Sequence, residues 1–203
     1  MTIYQTLLGK KFSKLHPRLQ ERYSIPMGRP FHAKGVMQTV ANGTKLLQPF
    51  YRLAAKSNFL FPESGQTIPF HITNTAHINK AGEAEVYWER VFHFQEATRY
   101  FNAKMTVDQD GNVVRDYLGD PSFFYSDLLF DVTASGQLLI RSGPQKVVLG
   151  LLEIPMPSFM EGRVVVEEGY DDVKGVFTIH VSIYHGVFGR VMMYAGEFKE
   201  VDC

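Results

Sequence analysis

Half-cystines, surplus charge and long apolar runs are all missing from this chain. Its 203 residues contain one cysteine, Cys203, so no intrachain disulfide framework exists and a reducing compartment is the natural setting. A lone thiol at a chain end reads as incidental. Lys+Arg and Asp+Glu are both 21, which leaves no overall basic footprint for nucleic acid. No stretch approaches the ~18 consecutive apolar residues of a membrane span. The opening MTIYQTLLGKKFSKLHPRLQERYS has no basic start followed by a long apolar run and a small-residue cleavage site, so the expected location is the cytoplasm. Nucleophile elbow, phosphate loop and dinucleotide fingerprint are absent, and no cofactor is expected. The seven histidines do not make a metal signature: His71 and His77 are six apart and His180 and His185 five apart, neither at helical or zinc spacing. His93 shares a strand face with Glu89 and is its natural partner.

What the chain has is aromatic and apolar mass. Hydrophobic residues are 45% and aromatics 13%, with 16 Phe and 10 Tyr. That is ordinary globular composition, weighted toward sheets, in which flat side chains pack across strands. The length fits one domain, 1–203, able to bury a core without metals or disulfides.

The periodicity changes along the chain. Ile3, Tyr4, Leu7 and Leu8 recur at helical spacing, and Gly9 ends the run. Phe12, Leu15 and Leu19 continue the period, with Pro17 in the first turn of a second short helix. A further helix is expected over 44–56, with Thr44 as its N-cap and Leu46, Leu47, Phe50, Leu53 and Ala54 as its apolar face. Residues 1–56 thus read as a helical N-terminal segment.

From 67 to 200 the period is two. Ile68, Phe70 and Ile72 alternate; so do Val86, Trp88, Arg90, Phe92 and Phe94 against Glu85, Tyr87, Glu89, Val91 and His93. Phe101, Ala103, Met105 and Val107 follow, then the hairpin turn Asp108-Gln109-Asp110-Gly111. Leu128, Phe130 and Val132 sit opposite Asp127 and Asp131. About ten strands at roughly 8–12-residue spacing predict an antiparallel barrel, calycin-like, or a sandwich. Glu153 to Arg163, with Pro155, Pro157 and Gly162, reads as a crossover loop and a candidate lid.

An ordered set of segments carries a family resemblance. LHPRLQERYS (15–24), FPESGQTIPFHITN (61–74), VYWERVFHF (86–94), FNAKM (101–105), VRDYLGD (114–120), LLFDVTASGQLLIRSG (128–143), EGYDD (168–172) and FTIHVSIYHGVFGRVMMYAGEF (177–198) resemble a bacterial domain of unknown function, number 4166. The resemblance covers nearly all of the chain. It implies no catalytic residues. Members occur alone or behind other modules, including dinucleotide-binding and membrane-embedded ones. The chain departs from the pattern at Tyr184-His185-Gly186, where the family often has an Asn-Pro turn.

Several polar residues fall on apolar strand faces. Arg90 lies with Val86, Trp88 and Phe92, and a guanidinium that cannot shed its charge must meet a carboxylate, carbonyls or a ligand anion there. Its structural alternatives are an ion pair with Asp116 or Glu168. Arg141 shares a face with Leu139 and is a second candidate for an anion clamp, or a rim arginine that ties down a turn. Asp116 lies with Val114 and Leu118; apolar surroundings would raise its pKa and suit it to acid/base work, or it fixes strand register through a salt bridge. Glu168 and Tyr170 share a face with Val164 and Val166, whereas Glu167 points the other way. Met156, Met160, Met192 and Met193 are adaptable apolar filler for a pocket or a core.

These residues predict a barrel that holds a small amphipathic or anionic ligand, with its tail among Trp88, Phe92, Phe101 and Met105 and its head near Arg90 and Arg141. The candidate binding residues are Arg90, Trp88, Asp116, Arg141, Glu168 and Tyr170. An alternative is a lyase or isomerase that uses Asp116 or Glu168 on a small carboxylate. Another is a protein-interaction module.

Overall fold

The computed structural model describes residues 1–108, 111, 113–150 and 152–201. Cys203 and two residues of the predicted turn, Gln109 and Asp110, lie outside the described residues.

The chain opens with two short helices. In α1 (Ile3–Leu8), Thr2 caps the N-terminus in a capping box with Gln5, and Gly9 ends the helix at φ +48°. A 3₁₀ stretch leads to α2 (Pro17–Tyr23), with Pro17 in the first turn. These helices bury Ile3, Tyr4, Leu8, Leu19, Arg22 and Tyr23.

Twelve strands follow in one sheet: β1 (Phe31–Asn42), β2 (Gly65–Ile78), β3 (Ala84–His93), β4 (Thr98–Tyr100), β5 (Ala103–Val107), β6 (Val114–Gly119), β7 (Ser122–Val132), β8 (Leu138–Leu149), β9 (Leu152–Pro155), β10 (Gly162–Asp171), β11 (Val176–His185) and β12 (Gly189–Glu200). The order runs β10-β11-β12-β1-β2-β3-β5-β6-β7-β8, and β8 pairs β10 through Val165 opposite Arg141 and Val166 opposite Ile140. Ten strands therefore close an antiparallel barrel, while β4 pairs β3 beyond β5 and β9 pairs β8 beyond β10. Closure leaves no open edge in the ring.

Two expectations need correction. Residues 1–56 are not wholly helical: 31–42 is β1, the strand that joins β12 to β2. Its alternation is interrupted by Gly35 and by a bulge between Met37 and Thr39, which shifts Val40 onto the inner set. Gly35 and Gly196 lie where β1 and β12 touch. A Cβ on Gly35 would come within 2.0 Å of the Glu197 carbonyl oxygen, and one on Gly196 within 2.4 Å of that of Val36. The loop expected over 153–163 is a loop only in its middle: Leu152–Pro155 pairs with β8, and Gly162 already begins β10.

The helix at 44–56 is present as α3 (Gln48–Ala54) between 3₁₀ turns, and Thr44 accepts from the Leu46 amide. Its expected apolar face is split. Leu47, Tyr51 and Ala54 are buried, whereas Leu46, Phe50 and Leu53 face solvent.

Candidate functional site

The two ends of the barrel differ. At one end α1 and α2 act as a plug, in which Tyr4 and Tyr23 meet edge to face at 4.8 Å. The indole of Trp88 donates to Tyr4 Oη at 2.8 Å, and Tyr4 Oη lies 3.7 Å from the sulfur of Met105. An ion pair locks the plug: Arg22 Nε donates to Glu168 Oε1, Arg22 Nη2 to Oε2 at 3.4 Å, and Tyr23 Oη to Oε2 at 2.8 Å. Arg22 Nη1 also donates to Asn74 at 2.9 Å. The guanidinium lies 4.4 Å from the ring of Phe31 and 5.2 Å from that of Trp88. Glu168 and Arg22 are both buried.

Above the plug lies a cavity of about 590 Å³, within the usual size of a small-molecule site, roughly 300–1,000 Å³. Its walls carry Trp88, Phe101, Met105, Leu118, Ile140, Val164, Val181 and Ile183. The strand period explains this lining. Alternate residues of β3, β5, β6, β8, β10 and β11 point inward, and nearly all of those are apolar.

A polar pair interrupts the apolar lining near the plug. Arg90 is two residues from Trp88 on β3, and Asp116 stands opposite Met105 across β5 and β6. Arg90 Nε donates to the Phe101 carbonyl at 2.8 Å, and Nη1 reaches Tyr194 Oη at 3.2 Å. The guanidinium lies over the Phe101 ring at 4.2 Å. Nη2 and Asp116 Oδ1 are both buried without a hydrogen-bond partner among the described residues. Among the described residues no carboxylate reaches Arg90 at ion-pair distance. Burial pushes the Asp116 carboxyl up to about 7, and the charge of Arg90 pulls it only part of the way back. Burial likewise raises Tyr194, against the lowering pull of Arg90, so its hydroxyl keeps its proton and has no acceptor among the described residues.

The six expected site residues thus divide. Trp88, Arg90, Asp116 and Glu168 line the cavity. Arg141 does not: Ile140 takes the inward position on β8, and Arg141 is exposed on the outer face. An inner clamp of two arginines is therefore ruled out. Tyr170 lies outside the cavity lining, stacked on His16 at 5.1 Å with Arg18 over its ring at 5.7 Å. Glu168 is committed to Arg22, so the ion pair considered for Arg90 is made by a residue of α2 instead. Sequence reading missed Arg22 and Tyr194. Arg22 lies three residues after Leu19 on the buried stripe of α2, which was its signal; Tyr194 alternates with Met192 on β12.

Outside the barrel, His71 and His93 face each other at 3.3 Å on the outer surface, and His77 pairs with Glu85 at 3.1 Å. Among the described residues no group of three or more His, Cys, Asp or Glu side chains converges as a metal would require. No helix among them is long and apolar enough to cross a membrane.

Comparison with known proteins places the chain. It is 33% identical over 188 residues, spanning 93% of this chain and 92% of the other, to the "Uncharacterized protein YndH" of Bacillus subtilis (strain 168). A family profile described as "Domain of unknown function (DUF4166)" matches residues 15–198, from just before α2 to near the end of β12, and the chain belongs to that family.

Proposed function

We propose that this barrel binds a small amphipathic anion, with the head held by Arg90 and Tyr194 above the plug and the apolar tail running toward the open end. One observation carries the reading: Arg90, a guanidinium without a carboxylate partner among the described residues, lines an apolar cavity. Leaving a charged donor unmatched in such a place costs free energy, which an anionic ligand would recover. The Tyr194 hydroxyl supplies a second donor beside it. A carboxylate on an acyl chain matches both the donors and the walls. The single cysteine fits the cytoplasmic setting expected for such a carrier.

The test is titration of delipidated protein with a fluorescent long-chain carboxylate and with the corresponding alcohol. The carboxylate is expected to bind and the alcohol to bind at least ten-fold more weakly, since a charge-assisted hydrogen bond is worth about 1.5–3 kcal/mol. Arg90→Met is expected to remove that preference. Arg90→Met deletes two buried hydrogen bonds but strands no carboxylate and removes an unpaired buried charge, so the opposing effects should leave apo stability changed by no more than about 1 kcal/mol. An Arg90→Met protein that still prefers the carboxylate would sink the proposal.

A second reading rests on Asp116. A carboxyl that titrates near neutrality beside an anion anchor suits proton transfer to or from a bound carboxylate, as in an isomerase or lyase. Under that reading Asp116→Asn keeps ligand binding and abolishes turnover of the bound acid.

A further inference from the structure

The open end of the barrel is bordered by three segments: 44–60 around α3, the loop 156–161 before β10, and the turn 185–189 between β11 and β12. Each of them holds large apolar side chains in solvent. Leu46, Phe50 and Leu53 are 77%, 45% and 67% exposed and recur at the spacing of one helix face. Phe159 and Val187 are 69% and 73% exposed, with Met160 and Phe188 beside them. Phe50, Phe159, Met160, Val187 and Phe188 line the cavity at the same time, so the apolar rim and the apolar interior are one continuous surface. Exposed apolar area gathered in one place marks a binding surface.

Charge gathers there too. The rim segments carry Lys45, Arg52 and Lys56, with Arg163 and Arg190 on the strands just beyond them, against Glu161, although the whole chain is balanced at 21 and 21; the neighbouring acids Glu63 and Asp120 are paired with Arg99 and Lys104. All five cations are exposed, and none makes an ion pair with a described residue. Exposed cations elsewhere, Lys10, Lys34 and Lys80 among them, also lack an ion pair with a described residue; what sets the rim apart is the excess of cations over acids beside exposed apolar side chains. Apolar side chains interleaved with unmatched cations are the combination that binds an anionic bilayer interface: the rings and aliphatic chains enter the acyl boundary while the cations meet headgroups.

We propose that the chain docks with its open end against an anionic lipid bilayer and exchanges its ligand directly with that membrane. A cavity mouth at the centre of the rim would let an acyl chain move between bilayer and barrel without crossing water. The exchange step rests on the ligand reading above; the docking rests on the rim alone.

The experiment is flotation of the full chain with vesicles of phosphatidylcholine, alone and mixed with phosphatidylglycerol. Partition onto the mixed vesicles, lost at high salt, is expected. Each neutralised cation is expected to cost roughly five-fold in partitioning, so Arg52→Gln with Lys56→Gln should lose about twenty-five-fold. Leu46→Ser with Leu53→Ser changes exposed residues that do not line the cavity, and a loss of at least ten-fold is expected from the apolar area removed. Arg90→Met must partition like the parent chain; an Arg90→Met protein that docks without binding the fluorescent carboxylate separates the docking from the ligand site. Docking without any carboxylate binding by the parent chain supports the rim and removes the exchange step. Three outcomes would overturn the docking: no partition onto the mixed vesicles, partition unchanged in both rim variants, or light scattering that shows a dimer which the Leu46→Ser/Leu53→Ser protein cannot form.

Discussion

Arg90 and Asp116 face the same cavity, and their ionisation states are linked. With Asp116 protonated, Arg90 is the sole charge of the pair and attracts an anion; with Asp116 ionised, the pair is neutral overall and attracts one more weakly. The folded-state value near 7 lies above the ordinary carboxyl value of 3.8. The folded protein therefore keeps a proton that the unfolded chain releases between those two values. Stability contributed by this group is complete below 3.8 and falls as pH rises to about 7, at up to about 1.4 kcal/mol per pH unit. Asp116→Asn should remove that slope: in urea unfolding, its stability relative to the parent should rise between pH 5 and pH 8. Carboxylate binding should weaken over the same range in the parent and stay level in Asp116→Asn. Parallel pH profiles for the two proteins would mean that Asp116 is solvated and ionised throughout.

Helix α2 is tied to β10 by one buried ion pair, Arg22 with Glu168. Removing one partner of such a pair leaves an uncompensated charge, at a cost of about 3–5 kcal/mol. Arg22→Met is expected to destabilise the protein by that amount, far more than Arg90→Met. The double variant Arg22→Met with Glu168→Met should recover much of the loss, since neither charge is then stranded. A double variant as unstable as Arg22→Met alone would assign the loss to packing of the guanidinium among its aromatic neighbours. The elements themselves were legible to different degrees. Strict alternation made β3 readable residue by residue, and Val86, Trp88, Arg90 and Phe92 are all buried on one face. In β1 a glycine and a bulge break the period, so its 12 residues carried no clean signal. In α3 the helical stripe was visible, but periodicity reports that apolar residues share a face and not what covers them.

At the scale of the whole molecule, the plugged end and the open end turn a closed sheet into a container. A ligand that binds only the folded barrel must stabilise it by mass action, by about 2.7 kcal/mol at a hundred-fold excess over Kd. For a chain of this size that corresponds to a melting temperature roughly 5–10 °C higher. Protein purified from its own host and then extracted with organic solvent should therefore melt lower than before extraction, with native mass spectrometry recording the mass lost. An unchanged melting temperature and an unchanged mass would argue for a cavity filled only by weak or transient substrates.

The sequence by itself determined the strand-rich class, the inward faces of most strands and the family, because period-two burial and an ordered set of motifs are local properties of the chain. It also put Arg90 and Asp116 on apolar faces. Only the tertiary structure decided which charges meet. Glu168 is claimed by Arg22, 146 residues away in the chain, and Arg141 turns outward while Arg90 turns in. Closure through β8 and β10, the plugging of one end and the gathering of cations and apolar side chains at the other are likewise long-range facts. They follow from how the barrel closes in three dimensions, and alternation along a single strand carries no record of which end another segment will cover.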